Sequence, residues 1–164
     1  MNVIFSAVLS ASLLATLAWP QTARVRPEDL RRLTGARWTG TLTYTDYSSN
    51  KRVTISSNLS VTERDATSWV FEYEYPKEPK ATGKQSVTLA RDGATLDGET
   101  VVERSELEGG QLRVVTEKRG TDDDRAALFR YTYLIGASSF SVRKEVRRDG
   151  DEGFFERNVY SWSR

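Results

Sequence analysis

The sequence predicts an all-β fold: a single antiparallel up-and-down β-barrel of about 8–10 strands behind a short N-terminal helix. Three observations predict it. From Trp38 to Trp162 apolar residues recur with a period of two rather than 3.6. Turn-forming clusters fill nearly every gap: Tyr47-Ser48-Ser49-Asn50, Asp92-Gly93, Asp97-Gly98, Gly120-Thr121-Asp122, Gly136-Ala137-Ser138 and Asp149-Gly150. No long helical segment interrupts the strands, and parallel pairing would need such crossovers.

The chain begins with the uncharged run Val3 to Ala18. It is short for a membrane span, which needs about 20 apolar residues, and no Lys or Arg precedes it. Small residues at Thr16 and Ala18 suit a cleaved signal peptide over residues 1–18; an uncleaved anchor is the alternative. Residues 19–26 then form a linker and residues 27–164 the barrel domain. On this reading the mature chain is secreted or periplasmic, with no stable membrane span.

Within the domain, Pro27-Glu28-Asp29-Leu30-Arg31-Arg32-Leu33 reads as a two-turn helix, with proline and acids first and arginines last. Gly35 can end it at positive φ. In the first strand Trp38, Gly40, Leu42 and Tyr44 share one face, with Thr39, Thr41 and Thr43 opposite. Val53, Ile55, Leu59 and Val61 mark the second strand, Trp69, Phe71, Tyr73 and Tyr75 the third, and Val87 and Leu89 the fourth. Val101 to Leu107 and Leu112 to Lys118 flank a Glu-Gly-Gly-Gln hairpin. Leu128 to Ile135, Phe140 to Val146 and Phe154 to Trp162 follow.

Composition narrows the chemistry. Lys plus Arg number 24 and Asp plus Glu 23, a net charge of +1, so no broad basic field serves nucleic acid or anionic lipid. There is no cysteine and no histidine. Thiol nucleophiles, disulfides, Ser-His-Asp chemistry, and the usual zinc and haem ligands are excluded. No cofactor or metal site is expected. Asp122-Asp123-Asp124 lacks the spaced ligands of a calcium loop and reads as a solvated turn. Glu72 and Glu74 read as an outward charged face.

The stretch Leu33-Thr34-Gly35-Ala36-Arg37-Trp38-Thr39-Gly40 resembles the opening of lipocalin-like (calycin-type) barrels, among them an exported bacterial branch. The usual spacing is Gly-x-Trp; here it is Gly-x-x-Trp. The resemblance implies that Gly35 and Trp38 are structural, with Trp38 packed at the closed end under an arginine from late in the chain, either Arg157 or Arg164. It also implies small-ligand binding. A haem-binding branch of similar barrels uses a histidine that this chain lacks.

A barrel of this size can be filled by side chains or hold one small ligand. The candidate contacts are Tyr44, Phe71, Tyr73, Arg130, Lys144, Arg157 and Tyr160. The tyrosines combine apolar faces with hydroxyls that need partners when buried. Arg130, Lys144 and Arg157 interrupt apolar faces in the second half, either snorkelling and pairing at strand ends or meeting an anionic ligand. One bulge would reverse which face is inside. The sequence therefore points to a monomeric, non-catalytic binder of an apolar or amphipathic small molecule, an anionic one included. The alternative is a structural or interaction module of the cell envelope with a filled barrel.

Overall fold

A computed structural model describes residues 23–164; the signal-peptide segment and the first part of the linker lie outside them. Helix α1 (Pro27–Arg31) precedes ten strands: β1 (Arg37–Asp46), β2 (Lys51–Asp65), β3 (Ser68–Glu74), β4 (Gly83–Thr88), β5 (Thr95–Leu96), β6 (Glu99–Glu106), β7 (Leu112–Asp122), β8 (Arg125–Ile135), β9 (Ser139–Arg148) and β10 (Phe155–Ser163). Every paired neighbour is antiparallel, in the order β4-β3-β2-β1-β10-β9-β8-β7-β6-β5. The first and last strands therefore pair in mid-sheet. The two sheet ends meet through a single bridge, Leu89 to Leu96, so the barrel is nearly closed. This is the all-β antiparallel barrel that the two-residue period predicts.

Strand register sorts the lumen into tiers. The floor is Leu112, Ile135, Phe140, Trp162 and Gly40, neighbours across successive strands. Phe140 and Trp162 stack with centroids 5.2 Å apart. Trp38 meets Phe140 edge-on at 6.1 Å. Gly40 is glycine for a steric reason: a Cβ there would strike the Ser161 carbonyl. Above the floor run Val114, Tyr133, Val142, Tyr160 and Leu42. A third tier, Thr116, Tyr131, Lys144, Asn158 and Tyr44, is polar.

The helix plugs the floor. Leu30 and Leu33 are buried in the core with Trp38. Gly35 takes φ +76° after the helix, a conformation that side chains with a Cβ resist. The Trp38 indole donates to the Leu33 carbonyl at 2.9 Å, tying strand to plug. Arg164 lies over the Trp38 ring, 4.4 Å from its centroid. Of the two arginines offered by the resemblance, Arg164 occupies that place. Arg157 sits at the other end of the barrel, over the Tyr47 ring at 3.3 Å.

The register settles two faces that the sequence leaves open. On β8 the inward set is Ala127, Phe129, Tyr131, Tyr133 and Ile135, not the face shared by Leu128, Arg130, Thr132 and Leu134. On β10 a register shift between Glu156 and Asn158 breaks the alternation. Tyr160 and Asn158 line the lumen below it and Arg157 reaches the rim, while Val159 falls on the other face. The acidic turn is corrected in part: Asp123 and Asp124 take positive φ in a tight turn, but Asp122 is buried and bonded to Arg148 at 2.9 Å. Glu72 and Glu74 face outward, paired with Lys84 and Arg37.

Candidate functional site

The barrel interior is not filled. A lumen of about 470 Å3 runs from Leu30 and Leu33 at the plug up to Lys144 and Asn158. A second chamber of about 620 Å3 lies at the open end, between Tyr44, Tyr47, Tyr75, Lys144 and Arg157. Both volumes fall within the range of small-ligand sites. Lys144 and Asn158 line both chambers, so the polar tier is the waist between them.

Phe71, Tyr73, Val87, Tyr133, Val142 and Tyr160 give the lumen its apolar wall. Tyr73 and Tyr160 lie 5.6 Å apart, centroid to centroid, and Tyr160 stacks on Trp162 at 4.9 Å. The Tyr160 and Tyr75 hydroxyls share a hydrogen bond of 2.8 Å. Burial raises the pKa of Tyr73, Tyr133 and Tyr160 above the ordinary phenol range and pushes that of Tyr131 up to about 12. These phenols are neutral hydrogen-bonding groups at any physiological pH.

Lys144 is the unusual group. Its ammonium lies 4.4 Å from the Phe129 ring centroid and 5.7 Å from that of Tyr131. Among the described residues no carboxylate lies within 4 Å of it. Burial lowers its pKa from 10.5, with Arg157 and Lys118 adding to the effect and Asp122 and Glu99 opposing it. The aromatic rings offset part of its desolvation. The amine is thus a cation held at the waist without a counter-ion.

The other two predicted cations are occupied. Arg157 donates to the Thr45 carbonyl at 3.1 Å and approaches Asp122 at 3.7 Å. With Arg148, Asp122 and Tyr47 it forms the rim. Arg130 points away from the lumen, bonded to Glu117 at 2.7 Å and stacked on Phe154 at 3.9 Å. Of the seven predicted contacts, the structure brings Phe71, Tyr73, Lys144 and Tyr160 together in the lumen and Tyr44 and Arg157 at the mouth, and it sets Arg130 apart. Sequence reasoning missed Tyr131, Tyr133, Asn158 and Glu99. Tyr131 and Tyr133 share a strand face with Phe129 and Ile135, a signal that the equally apolar Leu128 and Leu134 masked.

The lumen also reaches the seam between the sheet ends. Gly83, Lys84 and Gln85 of β4 line it beside Asp97, Glu99 and Lys118. A Gln85 to Asp97 hydrogen bond of 2.8 Å spans the seam.

No protein-family model matches the chain, and no curated protein matches it. Among solved structures it is similar to Rv2717c from M. tuberculosis, at 10% identity and a TM-score of 0.48, over 84% of this chain and 95% of that one. It is also similar to a mutant of the fluorescent protein UnaG, at 13% identity and a TM-score of 0.41, over 82% of this chain and 97% of that one.

Proposed function

We propose that this barrel is an exported, non-catalytic binding protein for a small amphipathic anion. The apolar part of the ligand packs against Phe71, Tyr73, Tyr133, Val142 and Tyr160, and its anionic group meets Lys144. One observation carries the reading: a lysine without a counter-ion stands directly above an aromatic-walled cavity. Lys144 is half-buried, so its charge has lost part of its hydration without gaining a partner, and an anion from outside would offset that loss. The filled-barrel alternative is disfavoured by the volume of the lumen. Export is supported by the uncharged Val3 to Ala18 run and is checked by N-terminal sequencing of protein recovered from its own host.

The test is titration with naphthoate, followed by tryptophan fluorescence, since Trp162 stacks on the wall residue Tyr160. Wild-type protein should saturate at one equivalent. Lys144→Met, which keeps the bulk and removes the charge, should weaken binding about tenfold, the worth of a charge-assisted contact. Absence of saturable binding, or equal affinity in Lys144→Met, would overturn the reading.

A further inference from the structure

The lumen contains a buried carboxylate that anion binding does not use. Glu99 opens β6 and lines the cavity, yet it is only 5% exposed. Its Oε2 accepts the Thr116 hydroxyl at 2.5 Å, and Thr116 belongs to the polar tier. Among the described residues Glu99 has no other side-chain hydrogen bond and no cation within 4 Å. Lys118 and Lys144 line the same lumen, within electrostatic reach but out of contact. Burial raises its pKa, with the Thr116 hydrogen bond and Lys118 pulling the other way. A single neutral hydroxyl is poor compensation for a buried carboxylate. A glutamine here could take the same hydrogen bond at lower desolvation cost, so the acid asks for an explanation outside the fold.

We propose that Glu99 is a specificity-determining residue that receives a cationic N–H donor from the ligand, so that the lumen selects an amphoteric aromatic molecule, its anion on Lys144 and its amine on Glu99. This rests on the ligand-binding reading above. Glu99 and Lys144 stand on β6 and β9, with β7 and β8 between them. Three inter-strand steps put the two strands about 14 Å apart across the sheet; Glu99, next to Thr100 opposite Glu117, stands level with Lys118, one inward position beyond the tier of Lys144, and both side chains line the lumen. A bicyclic aromatic body with its two groups at opposite ends fits that arrangement. The Tyr131 and Tyr133 rings, which lie on the intervening β8, supply the surface against which it lies.

Calorimetric titration with naphthoate and with aminomethyl-naphthoate tests this. Wild-type protein should bind the amphoteric probe about tenfold more tightly than naphthoate, the scale of one added charge-assisted hydrogen bond. Glu99→Gln should abolish that preference while leaving naphthoate affinity within about twofold. Asp97→Asn, which alters the neighbouring acid, should keep it. Equal wild-type affinities for the two probes would overturn the role of Glu99 even if Glu99→Gln fails to fold. A Glu99→Gln variant that weakens both probes alike would also overturn it, because the acid would then be structural. Failure of naphthoate itself to bind would instead sink the ligand-binding reading and the role of Glu99 with it.

Discussion

Two tryptophans of the closed end show how one indole N–H changes what a side chain is worth. Trp38 and Trp162 are both buried. The Trp38 N–H is bonded to the Leu33 carbonyl, whereas the Trp162 N–H is buried without a partner. Replacing a satisfied donor strands its acceptor, and replacing an unsatisfied one removes a penalty. Trp38→Phe should therefore lose about 1–3 kcal/mol of stability in urea unfolding, beyond any packing loss, and Trp162→Phe clearly less. Equal losses would contradict this account of the plug. A second residue-scale prediction concerns Asp29. Its carboxylate accepts from Nε and Nη2 of Arg104, each at 2.8 Å, and from the Arg26 backbone N–H at 2.8 Å. Burial pushes its pKa up, but the Arg104 and Arg26 hydrogen bonds and the charges of Arg104 and Arg32 outweigh burial and leave it below 3.8. A carboxylate with a depressed folded pKa contributes stability above its unfolded pKa and loses it as pH falls through the folded value. Wild-type stability should thus fall below about pH 4 more steeply than that of Asp29→Asn. At neutral pH the variant should be less stable by about 3 kcal/mol, as for other broken buried pairs. Parallel acid-unfolding curves for the two proteins would refute the linkage.

Among the elements, the strands differ in how many neighbours hold them. β1 pairs with β2 on one side and β10 on the other along most of its length. β4 pairs only with β3, and the bridge at Leu89 follows its last residue. Its other edge makes no ladder with β5, a strand of two residues; the Thr88 carbonyl alone accepts a backbone hydrogen bond across it, from Asp97 at 2.6 Å. Shortness and the charge of Lys84 blunt that edge against pairing with another chain. Local opening follows the contacts that oppose it, so amide exchange should be fastest, among the strands of four or more residues, in β4. It should be slowest where β1 meets β10. Gln85→Ala, which removes the hydrogen bond across the seam, should accelerate exchange in β4 and leave β1 unchanged. Uniform exchange around the barrel would show that the seam is no weaker than the rest of the wall.

For the whole molecule, closure depends on the last strand, and this also explains what could be read from the residues in order. The alternation of Trp38, Leu42 and Tyr44, and of Trp69, Phe71 and Tyr73, is unambiguous because the opposite faces are threonine, glutamate and valine mixed with polar groups. The barrel and much of its aromatic wall were therefore legible. On β8 both faces carry leucine-sized residues, so parity did not separate Arg130 from Tyr131. At Arg157 a local register shift, invisible to any periodicity, decides which residues reach the lumen. Glu99 follows Asp97-Gly98 and looks like one more solvated turn residue; its hydrogen-bond partner, Thr116, is 17 positions away. Such features come from pairing partners distant in sequence, and β10 is the most distant of all. It pairs with β1 and β9 at once, places Trp162 in the floor and leads to Arg164 over Trp38. A chain ending at Gly153 retains every other strand but leaves the facing edges of β1 and β9 open, with Trp38 and Phe140 uncovered. Unpaired backbone and exposed aromatic surface on that scale exceed the stability of a small domain, about 5–15 kcal/mol. The truncated chain should lose near-ultraviolet dichroism and cooperative unfolding and should bind no naphthoate, whereas removal of Arg164 alone, which takes away its cation–π contact with Trp38 and its hydrogen bonds to the Ala137 and Ser138 carbonyls, should cost about 2 kcal/mol and leave the transition cooperative. A cooperative transition in the chain ending at Gly153 would mean that the barrel does not depend on joining its first and last strands.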